Sequence, residues 1–153
     1  MKKQNQLALS FIIITSLFIF SCNNKDTPDP TPKTKTQLLT QATWKFSSAS
    51  AAGTDITNNS LLACIKDDVT TFVSTGTGNI SDGAILCSPT TGGNFTWSFQ
   101  SSETVLVMSA GLFPGGSGTF NIVSLTDLNL IVSQNVIVPP SSSPINVQFT
   151  FIH

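Results

Sequence analysis

Residues 94–100 read Asn-Phe-Thr-Trp-Ser-Phe-Gln. Phe95, Trp97 and Phe99 alternate with Thr96, Ser98 and Gln100, so a strand would carry three aromatic rings on one face and three small or amide side chains on the other. A helix would scatter the same rings around its circumference. One apolar face and one polar face mark an antiparallel sheet that covers a core on one side only.

The alternation extends outward from this stretch. It returns in Phe120 and Ile122, in Leu128, Leu130 and Val132, and in Ile145, Val147, Phe149 and Phe151. Less regular strands fit residues 43–49, 68–74, 78–86 with a break at Asp82-Gly83, and 103–109, which brings the number to eight. Turn signals rich in Gly, Pro and Ser separate them at residues 74–76, 91–93, 101–102, 114–116 and 139–144. Only residues 37–43 and 57–66 read as short helical turns. Strands this closely spaced pair with their sequence neighbours, which predicts an all-β, eight-stranded antiparallel up-and-down meander that closes into a small barrel and so hides its edges. A two-sheet β-sandwich is the alternative architecture.

The chain has 153 residues, no Arg and no Tyr, and only 10% of its residues are charged. From residue 37 onward the only bases are Lys45 and Lys66, set against Asp55, Asp67, Asp68, Asp82, Glu103 and Asp127. A mildly acidic domain without guanidinium groups is a poor match for phosphate, so nucleic acid is not an expected partner.

The beginning has a different composition. Lys2 and Lys3 precede an uncharged run of fourteen residues, 7–20, the pattern of a signal peptide. As a helix that run rises about 21 Å, short of the ~30 Å a spanning helix must cross. It ends in Ile19-Phe20-Ser21-Cys22, which resembles the lipobox of bacterial lipoproteins: a branched apolar residue, a permissive one, a small one, then cysteine. That resemblance implies cleavage after residue 21, lipid on Cys22 and attachment to a bacterial envelope membrane, with an outer-membrane address expected. Residues 23–36, NNKDTPDPTPKTKT, contain no apolar side chain and repeated prolines, which predicts an extended tether. The expected organisation is a leader over 1–21, lipidated cysteine and tether over 22–36, and one β-domain over 37–153.

With Cys22 assigned to lipid, Cys64 and Cys87 remain as an even pair in an exported domain, where a disulfide is expected. A metal reading lacks ligands, because the single His is His153, and a redox reading lacks the Cys-x-x-Cys spacing. No nucleophile elbow, motif-placed histidine base or phosphate loop is present. The expectation is therefore no catalytic residue, no metal and no cofactor. Asp67-Asp68 is read as a solvated pair at a strand entrance.

Leu38-Leu39 and Trp44, then Cys64, Asp67-Asp68, Phe72, Gly76 and Gly78, then Cys87 and Trp97, together resemble the lipocalin-like domain of Gram-negative envelope lipoproteins. In that family the opening tryptophan lies on the first barrel strand, the cysteines bridge and the later tryptophan sits inside the barrel. The resemblance implies those places for Trp44, for Cys64 with Cys87, and for Trp97. Lipocalins also set a late basic residue against the opening tryptophan, preceded by Gly-x; here Ala42 stands at the glycine position and no arginine exists.

Two functions follow from this reading. In one, the interior holds a small apolar ligand against Trp44, Phe72, Phe95, Trp97 and Phe99. In the other, those side chains fill a closed core, and loops 112–118 and 139–144 contact an envelope protein. Leu112-Phe113 at the tip of the first loop would be informative if exposed.

Overall fold

Thr34-x-x-Gln37 is a helix-start signature, and the chain uses it. In the computed structural model, which describes residues 31–139 and 141–153, the Thr34 side chain accepts from the Gln37 N–H while the Gln37 side chain accepts from the Thr34 N–H. This box opens helix α1 (Lys35–Thr40), which starts two residues before the expected domain start at 37. The leader, Cys22 and the tether as far as residue 30 lie outside the described residues.

Nine strands follow: β1 (Trp44–Ala51), β2 (Thr54–Asp55), β3 (Val69–Val73), β4 (Thr77–Ser81), β5 (Gly93–Gln100), β6 (Val105–Met108), β7 (Thr119–Leu125), β8 (Asn129–Val136) and β9 (Ile145–Ile152). A 3-10 helix over Ser60–Ile65 lies between β2 and β3. Every pairing is antiparallel, each strand from β3 to β9 pairs with the next, and β1 pairs with both β3 and β9. The sheet therefore closes as an eight-stranded barrel, with two-residue β2 added to β1, and the sandwich alternative falls. Closure leaves no long unpaired edge.

The deviations from the expected strands have local causes. The segment expected to run to 86 leaves the sheet after Ser81, at the anticipated Asp82-Gly83 break. The segment expected to begin at 103 begins at Val105, because Ser101, Ser102 and Glu103 all take positive φ (52°, 55° and 61°) to turn the chain. Leu128 was expected in the apolar row but is 70% exposed. It lies in the β7–β8 turn, where the Thr126 hydroxyl accepts from the Leu128 and Asn129 N–H groups and holds the chain outside the barrel.

The strand directions sort the connections into two ends. The helix end holds α1, the turns around 74–76, 101–104 and 126–128, and His153. The loop end holds the β1–β2 turn, the 3-10 helix, and the loops 82–92, 109–118 and 137–144. At the helix end the Trp44 Nε1–H donates to the Leu39 carbonyl at 2.8 Å, and both residues are wholly buried. The His153 ring lies on Trp44 with centroids 3.9 Å apart, and its Nδ1–H donates to the Thr43 carbonyl at 2.9 Å.

Candidate functional site

Of the expected interior residues, Phe72, Phe95, Trp97 and Phe99 form one cluster, while Trp44 packs at the helix end. Phe72 meets Phe95 and Trp97 edge to face, at centroid distances of 5.3 and 5.8 Å, and Trp97 meets Phe99 at 5.3 Å, the geometry that ring quadrupoles favour. The Trp97 Nε1–H donates to the Val73 and Thr77 carbonyls, so its one polar atom is satisfied while the indole is buried. Gly78 pairs with Phe95, and a methyl at residue 78 would overlap the Phe95 ring; the glycine is the floor on which that ring lies. Phe99, nearer the helix end, is only partly buried.

The opposite wall is built differently. Ala49 pairs with Phe149 and Ala51 with Val147. Two small side chains on β1 thus leave room beside two larger ones. Phe113 takes part of that room: its ring stacks on Phe149 at 4.5 Å and the residue is 1% exposed. Leu112 is buried with it. The loop tip singled out as a candidate outside contact is therefore turned inward, where it plugs the loop end together with Leu62 and Ile65 of the 3-10 helix.

Sequence reading missed the side chain that fixes this plug. Gln134 stands at an inward position of β8, where an apolar residue continues the pattern of Leu130, Val132 and Val136. It is buried, and its amide is fully used: Nε2 donates to the Ser117 carbonyl at 2.9 Å and the Thr119 carbonyl at 2.7 Å, while Oε1 accepts from the Ser117 N–H at 3.1 Å. A buried amide with its partners in place is specific about geometry. Here it ties β8 to the end of the Phe113 loop.

Beside the plug, Cys64 and Cys87 form the expected disulfide, with Cα atoms 5.0 Å apart. It joins the 3-10 helix to the loop between β4 and β5. Asp68 corrects the expectation of a solvated pair, whereas Asp67 is exposed. Asp67 Oδ2 accepts from the Ala84 and Ile85 N–H groups, and Asp68, 6% exposed, accepts at Oδ1 from the Gly83 N–H. Both thus hold the backbone of the disulfide-bearing loop. Burial pushes the Asp68 carboxyl above the ordinary value; the neighbouring Asp82 and Asp67 charges add to the rise, and the Gly83 N–H and the nearby Thr91 hydroxyl oppose it.

On the outside of the loop end, Ile85 and Leu86 are exposed, Leu86 at 69%, and Ile137 is exposed on the neighbouring loop. Leu86 lines a shallow hollow with Leu61, Pro114 and Pro139. The loop 139–144 thus joins this surface through Pro139. A wider groove of about 540 Å³ runs over the outer face of β3 to β5, lined by Thr71, Val73, Asn79, Asn94 and Thr96. It lies on the opposite side of the sheet from Phe72 and Trp97 and is open to solvent.

Among the described residues no group of three His, Cys, Asp or Glu side chains is placed to hold a metal ion, and no helix is long and apolar enough to cross a membrane. No protein-family model matches the chain, and no curated protein matches it.

Proposed function

We propose that this chain is a lipid-anchored, non-catalytic lipoprotein of the bacterial cell envelope, with an outer-membrane address, that works through the outer surface of its loop end. The observation that carries this reading is the inward-turned Phe113, stacked on Phe149 where a ligand would otherwise enter. A barrel of this size either fills with side chains or keeps one pocket, and the ring packing favours the first. The exposed pair Ile85 and Leu86, flanked by Pro114 and Pro139, supports an envelope protein as partner, since apolar loop tips held on a rigid scaffold are common contact points.

The lipocalin-like reading draws support from the closed meander, the Cys64–Cys87 bridge and the burial of Trp97. It also draws support from His153, which stacks on Trp44 where that family sets a late basic residue against its opening tryptophan. Lipid on Cys22 rests on the basic start, the short apolar run and the Ser21-Cys22 junction. Two or more acyl chains, at ~0.8 kcal/mol per buried methylene, hold a protein where one chain does not. Metabolic labelling with a fatty acid should mark the wild-type chain and spare Cys22→Ser; an unlabelled wild type would end the reading of a lipid anchor.

A further inference from the structure

Three buried side-chain atoms lack a hydrogen-bond partner among the described residues: Asp68 Oδ2, Asp82 Oδ1 and Thr91 Oγ1. They come from three stretches of chain, and the registers explain why they stand together. Val69 pairs with Ser81, so one step further Asp68 faces Asp82. Ile80 pairs with Gly93, so two steps further Asp82 faces Thr91. The three residues therefore form one row across the ends of β3, β4 and β5. By the two-residue period they share the face of Phe72, Ile80 and Phe95, which is the inside of the barrel.

Each carboxylate has one oxygen engaged and one without a partner at hydrogen-bond distance, and the Thr91 hydroxyl lies near enough to Asp68 to favour its charged form. Asp68 Oδ1 accepts from the Gly83 N–H at 3.0 Å, and Asp82 Oδ2 accepts from the Thr90 hydroxyl at 3.0 Å. The loop is shaped around them: a methyl at Gly92 would overlap the Asp82 carboxyl, and one at Gly83 would overlap Asp67. Among the described residues neither carboxylate forms an ion pair. The Lys66 ammonium is bonded to Asn58, and the one ion pair among the described residues, Lys33 with Asp127, is at the helix end. Like charges opposite each other across a sheet are unfavourable, and an idle buried carboxylate oxygen is costly.

We propose that Asp68, Asp82 and Thr91 bind one hard divalent cation of the calcium type at the loop end of the barrel. Two carboxylate oxygens and a hydroxyl make an all-oxygen donor set, which excludes the nitrogen and sulfur ligands that zinc prefers. Calcium accepts such a set with irregular geometry and completes its shell with water, whereas magnesium demands a near-regular octahedron. Three protein donors place the site in the weak range of extracellular modules, with Kd of about 10⁻⁴–10⁻³ M. Bound there, the ion would join the end of β3 to both ends of the 82–92 loop, the loop that carries Cys87, Ile85 and Leu86. The site stands whether or not Cys22 carries lipid.

The test is thermal unfolding and calorimetric titration of the full chain in detergent, stripped with a chelator and then given CaCl₂, MgCl₂ or NaCl at matched ionic strength. At ten times Kd, CaCl₂ should raise Tm by roughly 3–6 °C with one ion bound per chain. Asp82→Asn and Thr91→Val should lose most of that rise, while Asp127→Asn at the helix end should keep it. No calcium response in the wild type would overturn the proposal. So would an equal rise with MgCl₂ or NaCl, or a rise that Asp82→Asn and Thr91→Val both retain. Should Asp82→Asn fail to fold, Thr91→Val and the wild-type titration decide the matter.

Discussion

The two ends of this barrel are closed in opposite ways. At the helix end the seal is built from residues near in sequence or directly paired: α1 is capped by its own Thr34, Leu39 receives the Trp44 indole N–H five residues on, and β9, paired with β1, delivers His153 to Trp44. At the loop end the seal comes from distant segments. The 3-10 helix, the 82–92 loop and the Phe113 loop meet there, and a disulfide, a buried amide and buried carboxylates hold them together. Short connections close one end at small entropic cost, whereas long ones must be fixed by specific contacts. Polar groups are buried where the loops are long.

Breaking an aromatic seal should cost most. Trp97→Ala and Phe113→Ala each remove a ring that is at least nine-tenths buried and should destabilise by roughly 3–5 kcal/mol through lost transfer energy and a cavity. Denaturant melts give the sizes. Hydrogen exchange should then divide the two, with Phe113→Ala loosening the loop end while α1 and the start of β1 stay protected.

Loss of the bridge comes next. Cys64→Ala with Cys87→Ala opens a loop closed over a sequence separation of 23 and should cost about 3–4 kcal/mol in the chain-entropy picture. Faster amide exchange at residues 82–92 than at 126–128 would sharpen the contrast between the ends. Equal loosening of both would break it.

Asp68 gives the contrast a pH dependence. Its folded carboxyl lies above the ordinary value of 3.8, so its contribution to stability is complete below that value and is lost as pH rises through the folded pKa. In chelator, Asp68→Asn should therefore unfold at a higher temperature than wild type at pH 7, and the two should converge near pH 3. A wild type that is the more stable at pH 7 in chelator would contradict this sign.

The smallest effects belong to turns and outer faces. Ser102 is the middle of three consecutive non-glycine residues at positive φ, and Ser102→Gly at the helix end should stabilise by up to about 1 kcal/mol. Thr96→Ala, on the polar face opposite Trp97, should change stability by less than about 0.5 kcal/mol. A Thr96 effect as large as that of Trp97 would mean that the two faces of β5 are wrongly assigned.

The strand faces and the Cys64–Cys87 bridge were legible in the sequence, and the packing of the long loops was not. Alternation in residues 94–100 and 145–151 reports which face is buried, because burial follows the two-residue period directly. The Asp82-Gly83 break marked where β4 stops. By contrast, Leu112-Phe113 carries no periodic signal, and a Pro-Gly-rich loop looks the same whether its tip turns outward or inward. Gln134 carries no apolar signal, and its burial becomes clear only when the Ser117 backbone is placed beside it. Asp68 looked solvated as half of the Asp67-Asp68 pair because its opposition to Asp82 appears only once β3 and β4 are in register. Local pattern reveals local burial; contacts across long loops need the fold.

On the proposed function, side chains, Phe113 among them, fill this barrel. Titration of the full chain with an apolar fluorescent probe, alongside Phe113→Ala, tests it most directly. The wild type should show no saturable binding, while the variant, with space opened against Phe149, should gain it. Saturable one-to-one binding by the wild type that also raises its melting temperature would show that the interior holds a ligand and that the loop-end plug is a gate.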